Sequence, residues 1–199
     1  MANVDRPKGL VPSRMLNGSP YMGALEMYLL PAADGTATFI GDLVKLGGSA
    51  GAAGLTVNGI DCEGMATIAQ SAAGDPHVGV VVGYLANQSN LEQRHRVAST
   101  NRIALVAGTD VMYEIQEVSG GTALTATEVG LNANVVVGAG NATTGMSGME
   151  LDNSTEATTA GLDLHIMGLV KRVDNNYGEH AKWLVRINDS QFKAGTTGI

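Results

Sequence analysis

The stretch that decides the fold lies near the end of the chain and has the sequence KWLVRIN over residues 182–188. Apolar and polar side chains alternate in it. Trp183, Val185 and Ile187 would therefore share one face of an extended strand, opposite the polar side chains. This pattern predicts a strand with one face in the core and the other face polar.

Two further stretches have the same period of two, VMYEIQ at residues 111–116 and LDLHI at residues 162–166. In the second stretch the leucines and the isoleucine would face the core. Asp163 and His165 would lie together on the opposite face, which we expect to be solvated or part of an interface.

Short apolar runs separated by turn residues continue through most of the chain. Turns are indicated by sequences such as Asn58-Gly59 and Ser119-Gly120-Gly121. The candidate strands are 25–30, 36–46, 55–60, 64–70, 77–86, 102–107, 110–118, 134–138, 162–171 and 182–188. Many short strands with regular turns are typical of a sandwich or a barrel.

Composition agrees with a β-rich fold. Hydrophobic residues make up 44% of the 199 residues, enough for a packed core, whereas aromatic residues make up 4% and glycines number 27. One helix start stands out: Thr125 to Glu128 fits a capping box, and a short helix could run to about Leu131. The sequence predicts a mainly β fold, an antiparallel sandwich or barrel with the jelly roll among its options, and at most one or two short helices.

Residues 1–24 form a predicted extended N-terminal arm, and residues 25–199 a single β-rich domain. Prolines and glycines in the arm exclude a helix. Arg6, Lys8 and Arg14 against Asp5 give the arm a charge of +2. Since the formal net charge of the whole chain is −7, residues 25–199 carry a charge of −9. A basic arm on an acidic body indicates contact with an acidic neighbour, which could be a sister subunit.

Several function classes find no support in the sequence. The twelve Lys and Arg residues are scattered, so a nucleic-acid interface is not expected. The strand and glycines at residues 135–143 lack the helix start that a dinucleotide site requires. Four separated histidines and a single cysteine, Cys62, offer no spacing for a metal site. We expect no enzyme activity, no cofactor and no membrane segment.

Motifs along nearly the whole chain resemble those of the structural cement, or decoration, proteins of tailed-bacteriophage capsids. The residues that carry the resemblance are RPKGL at 6–10, LNGSP at 16–20, DGTA at 34–37, FIGDLVKL at 39–46, GVVVG at 79–83, VMYEIQE at 111–117, GLNA at 130–133, LVKRVDN at 169–175 and KWLVRIN at 182–188. The resemblance lies in the order and spacing of these motifs taken together.

The resemblance implies a virion protein on the capsid exterior, made in the cytoplasm of a bacterial host. Its partner would be the major capsid protein, whose neighbouring subunits it would bridge to stabilise the expanded lattice. It also implies self-assembly, with a homotrimer favoured and a homodimer as the alternative.

The arm supplies the predicted contacts with the capsid or with a sister subunit. Arg6, Lys8 and Arg14 would make charge contacts, and Leu10, Leu16 and Tyr21 would be apolar anchors. We expect deletion of residues 1–20 to abolish capsid binding and to leave the body folded. The alternatives are another virion β-domain from a tail or adhesin, and a small β-barrel that binds a ligand.

Overall fold

The computed structural model describes residues 3–193, 195 and 197–198, and its regular elements are almost all strands. Within these residues the strands are β1 Val11–Met15, β2 Glu26–Leu30, β3 Leu43–Ala50, β4 Thr56–Val57, β5 Ile60–Asp61, β6 Ala66–Gln70, β7 Gly79–Tyr84, β8 Arg102–Ala107, β9 Val111–Gln116, β10 Asn132–Ala133, β11 Val135–Val136, β12 Glu150–Leu151, β13 Leu164–Leu169 and β14 Lys182–Ile187. A 3-10 helix at Ala126–Glu128 is the one helical element among them.

Five strands form an antiparallel sheet in the order β1-β9-β14-β13-β10. Trp183 of β14 pairs with Ile115 of β9, and Val185 pairs with Tyr113. These four side chains are at most 1% exposed. The alternation predicted for β14 and β9 is therefore confirmed, and the sheet keeps one face in the core.

The strands β2-β6-β3-β7-β8 form a closed barrel, in which only the β2–β6 pairing is parallel. Successive residues of β7 reach different cores: Val81 packs inside the barrel, whereas Val80 packs against the five-stranded sheet. Leu43 and Val44 of β3 divide in the same way. Where these strands contact both cores, consecutive residues are apolar, as at Val80 and Val81 and at Leu43 and Val44.

The fold class predicted from the sequence is confirmed: the chain is mainly β with several antiparallel sheets. The structure differs in detail at three predicted elements. Residues 55–60 contribute to a two-strand hairpin, β4–β5, in which Asn58 and Gly59 both have positive φ. Residues 134–138 contain only the short β11. The capping box at Thr125 is present, but its helix ends at Glu128.

The predicted strand 36–46 begins only at Leu43, because a buried arginine organises the preceding loop. Arg96 is 0% exposed and donates to the backbone oxygens of Pro31, Asp34, Thr36 and Thr100, and to the Asp34 carboxylate. The guanidinium carries five N–H donors, and these acceptors satisfy them. Thr38 and Ile40 then make only isolated bridges, to Arg96 and Met146, and no strand ladder forms before Leu43.

Asp163 is not on a solvated or interface face, so that prediction was wrong. It is 0% exposed, and its carboxylate accepts hydrogen bonds from the backbone N–H groups of Gly74 (2.8 Å) and Val135 (2.9 Å). His77 Nε2, also buried, lies 3.3 Å from its Oδ1. Asp163 does not pair with His165, whose Nδ1 is 2.6 Å from Asn132 Oδ1. The buried carboxylate instead connects three separate loops and strands.

The predicted arm is extended and lies on the body. Its β1 is the edge strand of the five-stranded sheet, with Arg14 paired to Met112 and Met15 to Val111. The chain then reverses, since the Met15 N–H donates to the Ser19 carbonyl at 2.9 Å. The described part of the arm is thus joined to the sheet along β1.

Candidate binding surface on the outer face of the sheet

A close backbone contact attaches the arm to the body just before β1. Gly9 and Gly41 face each other with positive φ values of 67° and 99°, and a Cβ on either residue would collide with the backbone of the other segment. The Leu10 N–H donates to the Gly41 carbonyl at 2.9 Å. Leu10 itself is 1% exposed in the core. Glycine is required here because a side chain would separate the two segments.

Gln116, at the end of β9, holds the start of the arm. Its amide oxygen accepts the Arg6 N–H at 2.9 Å. Its amide nitrogen donates to Asp5 Oδ1 and Glu150 Oε1, both at 2.9 Å. Burial raises the pKa of Glu150, and the hydrogen bond from Gln116 partly offsets this increase. This buried amide therefore fixes Arg6 next to the outer face of the sheet.

Four cationic side chains meet on that face in a small recess, which we call the basic groove. Arg6 and Lys8 come from the arm, Lys182 from β14, and Arg172 from the loop before it. The groove has a volume of about 150 Å³. Its lining contains one carboxylate, Glu114, whose Oε2 lies 2.8 Å from Arg172 Nη2.

Beside the basic groove lies a larger open recess of about 500 Å³, the apolar hollow. Its lining includes the apolar side chains of Val129, Met167, Leu169, Tyr177 and Leu184. Met167 and Tyr177 are 41% and 47% exposed. Glu114 lines both recesses, so they are adjacent on the outer face of the sheet.

The six residues predicted as contacts have different environments. Arg6 and Lys8 line the basic groove, and Arg14 lines the edge of the apolar hollow with its Nε 3.3 Å from Met112 Sδ. Leu10 is buried in the chain's own core. Leu16 is 41% exposed at the end of β1, and Tyr21 packs partly against the core.

The sequence did not identify Arg172 and Lys182 as members of this surface. Lys182 could be placed on the polar face of a predicted strand, but its proximity to the arm depends on the order β1-β9-β14. That order is a long-range property that strand patterns do not encode. Arg172 lies in a segment with no periodic pattern at all.

Glu117 is a buried carboxylate in the centre of the main core, with 0% exposure. It accepts hydrogen bonds from Trp183 Nε1 (2.8 Å), the Leu124 N–H (2.9 Å) and Asn153 Nδ2 (3.2 Å). Burial raises its pKa, and these three bonds partly lower it again. Since its oxygens are occupied by internal donors, Glu117 connects loops to the sheet and offers no access to a substrate.

Asp5, Glu150 and His180 each place one potential metal-ligand atom within 4.8 Å of the others. The Gln116 amide already donates to both carboxylates, and its nitrogen lies 3.5 Å from His180 Nδ1. A cation bound to all three groups would have to displace this amide. The arrangement therefore fits a hydrogen-bonded junction between arm and body better than a metal site.

Comparison with known proteins gives no relative for this chain. No protein-family model matches it, and neither curated proteins nor solved structures contain a match. Among the described residues, no helix has the length and apolar character needed to cross a membrane.

Proposed function

We propose that this chain is a structural cement protein that binds the outer surface of a tailed-phage capsid and stabilises the expanded lattice by bridging major capsid protein subunits. The phage assignment is supported by the ordered motifs that resemble this family. The binding role is supported mainly by one observation, the exposed surface formed jointly by the arm and the sheet, where the basic groove adjoins the apolar hollow.

Large apolar side chains are also exposed elsewhere on the chain. Among the described residues, four large apolar side chains are at least 65% exposed: Met22 (87%), Leu91 (79%), Val173 (96%) and Phe192 (65%). Single exposed apolar side chains are normal on protein surfaces, so the proposed assembly rests on the resemblance and not on these residues. A homotrimer bound to the lattice, with a homodimer as the alternative, would give such side chains partners.

The mechanism is mass action. A protein that binds the expanded lattice and not the unexpanded one stabilises the expanded state by its difference in binding free energy. Because the arm is already docked along β1, little conformational entropy would be lost when its cations meet the capsid. Repetition of the contact over the lattice would then increase the total stabilisation.

Co-sedimentation of the purified protein with expanded, undecorated capsids tests this proposal. We expect saturable binding at a fixed ratio to the capsid subunits, and little binding to unexpanded capsids of the same phage. If the folded protein does not bind the expanded capsids, the cement function is wrong, and a tail or adhesin component becomes the better assignment.

Deletion of residues 1–20 would not test the arm cleanly, contrary to the expectation from the sequence. The deletion removes β1 and the buried Leu10 together with the cations, so lost binding could reflect a damaged sheet. Substitutions of exposed arm residues are the appropriate variants, because they leave the backbone contacts intact.

A further inference from the structure

We propose that the basic groove and the apolar hollow together bind one extended peptide segment that carries carboxylates next to apolar side chains. The inference rests on the proposed function, in which the major capsid protein supplies this segment. It specifies the chemistry of the contact: acidic side chains against Arg6, Lys8 and Lys182, and apolar side chains in the hollow.

The charge of the groove calls for an anionic occupant. Four of the twelve Lys and Arg residues line this one recess of a chain with a net charge of −7. Among the described residues, no carboxylate lies within ion-pair distance of the charged groups of Arg6, Lys8 or Lys182. Of the four cations only Arg172 is paired, with Glu114 in the groove and with Asp174 outside it. Neighbouring like charges repel each other, and an acidic partner would relieve that repulsion.

Two carboxylates near the groove do not neutralise it. Asp5 and Glu150 both accept hydrogen bonds from the Gln116 amide, and Asp5 also lies 3.6 Å from His180 Nδ1. Asp5 Oδ1 and Glu150 Oε1 are thus held at this junction at the end of β9. The arm cations therefore remain available to carboxylates from outside the chain.

The spacing of the two recesses fits an extended chain. Lys182 in the groove and Leu184 in the hollow are two residues apart on β14, about 6.6 Å at ~3.3 Å per residue. An extended segment lying along β14 would advance by the same distance over two of its own residues. Side chains two residues apart on an extended segment lie on the same face. An acidic residue and an apolar residue with this spacing could therefore enter the groove and the hollow, respectively.

The apolar hollow favours a peptide over a nucleic acid. A nucleic acid backbone presents phosphates in a regular line and would leave Met167 and Leu184 in the hollow without an apolar occupant. The net charge of −7 would also repel a long polyanion outside the groove. A short acidic and apolar segment satisfies both recesses without this repulsion.

A labelled synthetic peptide tests the ligand chemistry directly. The probe has a run of Asp and Glu followed by Leu and Phe, and two matched peptides replace either the acidic residues by amides or the apolar residues by serine. In fluorescence anisotropy we expect the probe to bind best and both replacements to weaken it by about tenfold. Added salt should weaken the binding of the probe, since the Debye length falls from ~10 Å at about 0.1 M to ~3 Å at about 1 M.

Charge reversal identifies the surface. The variant Lys8→Glu with Lys182→Glu should lose about tenfold or more in peptide affinity and in capsid binding. The control Arg94→Glu with Lys193→Glu makes the same change in net charge at exposed residues that line neither recess, and it should bind as the unchanged protein does. Circular dichroism and thermal unfolding verify that both variants fold.

The outcomes separate this inference from the proposed function. If the unchanged protein binds capsids and the Lys8/Lys182 variant binds them equally well, the inference is wrong and the cement function stands. If the protein binds the peptide through the groove but binds no capsid, the cement function is wrong. Tighter binding of a single-stranded DNA oligonucleotide than of the peptide, or no binding of any peptide, would also overturn the inference.

Discussion

At the scale of single residues, the main core depends on a carboxylate that the sequence pattern does not mark. Glu117 follows β9 and falls within that strand's predicted range, yet its oxygens bind Trp183, Leu124 and Asn153. A buried acceptor with several donors is costly to replace, because each donor that loses its partner remains desolvated. Glu117 therefore joins the loop around Leu124 and the segment around Asn153 to the sheet.

We expect Glu117→Gln to lower the free energy of unfolding by about 1–3 kcal/mol. The amide can keep one acceptor oxygen, but its nitrogen would then face a donor, either Trp183 Nε1 or the Leu124 N–H. Trp183 is the only tryptophan, so its fluorescence during urea unfolding measures the effect. The exposed Glu92→Gln is the control and should change stability by less than about 0.5 kcal/mol. An equally small change at Glu117 would contradict the role assigned to its hydrogen bonds.

The contact between Gly9 and Gly41 leads to a second prediction. A Cβ at Gly41 would collide with the Lys8 carbonyl oxygen, and its φ of 99° is unfavourable for alanine. We expect Gly41→Ala to detach the arm and to accelerate tryptic cleavage after Lys8 and Arg14 several-fold, measured by mass spectrometry.

Gly108→Ala is the matched control for this variant. Gly108 has no positive φ, and a Cβ added there would meet no atom within 4 Å. We expect cleavage of the arm to stay at the rate of the unchanged protein. Equal protection of the arm in both variants would mean that the Gly9–Gly41 approach is not needed for docking.

At the scale of elements, β1 is held both by its pairing with β9 and by the side chain that precedes it. Leu10 is 1% exposed and packs with Leu43, Val80 and the sheet residues of the main core. We expect Leu10→Ala to cost about 2–5 kcal/mol of stability, because it removes buried methyl groups and leaves a cavity. Urea unfolding measures this cost.

Leu16, at the other end of β1, is the control for Leu10. It is 41% exposed, and its backbone N–H donates to the Asp110 carbonyl. We expect Leu16→Ala to change stability by less than about 0.5 kcal/mol, since its side chain is only partly buried and its backbone bond survives. If Leu10→Ala were as mild as Leu16→Ala, the arm would not belong to the folded core.

The strands that the sequence predicted best are those whose pattern is set by local burial. Residues 102–107 match β8 throughout, and residues 182–188 match β14 within one residue. A strand with one or two buried faces has a pattern that its own residues encode. The sequence could not reveal which strands pair, because pairing depends on residues far apart in the chain.

Errors in the sequence prediction occur where a polar group is buried. The Thr and Phe residues in the loop before β3 have high β propensity and predict a strand, but Arg96 fixes the start of this loop by binding the carbonyl oxygens of Pro31, Asp34 and Thr36. The alternation of Asp163 with leucines predicts a polar face for its carboxylate. Its burial depends on the backbone N–H groups of Gly74 and Val135, which the sequence does not bring near it.

At the scale of the whole molecule, the chain is acidic but has one basic recess, the basic groove. The chain has a net charge of −7, whereas the lining of the basic groove has four cations and one carboxylate. The cationic arm residues form the basic groove only together with Arg172 and Lys182, which lie far from the arm in the sequence. Part of the candidate site was therefore predicted, and the fold supplied the rest.

Buried acids give the whole molecule a predicted dependence on pH. Burial raises the pKa of Asp42 from 3.8, and raises the pKa of both Glu117 and Glu150 from 4.5. Each of these groups binds a proton more tightly in the folded state, so it adds stability as the pH falls through its raised pKa towards the ordinary value. His165 acts in the opposite direction, because burial lowers its pKa from 6.5 and folding opposes its protonation.

Two other carboxyl groups, Asp75 and Glu128, have lowered pKa values and lose stability as the pH falls, so the effect of one raised pKa is measured as a difference between variants. We expect the unchanged protein to gain free energy of unfolding relative to Glu117→Gln as the pH falls from about 7 towards the ordinary glutamate value of 4.5. Protonation also reduces the net charge of −7, and the weaker repulsion between like charges raises the free energy of unfolding as the pH falls. Urea unfolding followed by Trp183 fluorescence over this pH range measures the trend. In Glu117→Gln the increase should be smaller, since that variant lacks one of the three titrating groups. Equal changes in the free energy of unfolding for the unchanged protein and for Glu117→Gln over this pH range would contradict the raised pKa of Glu117.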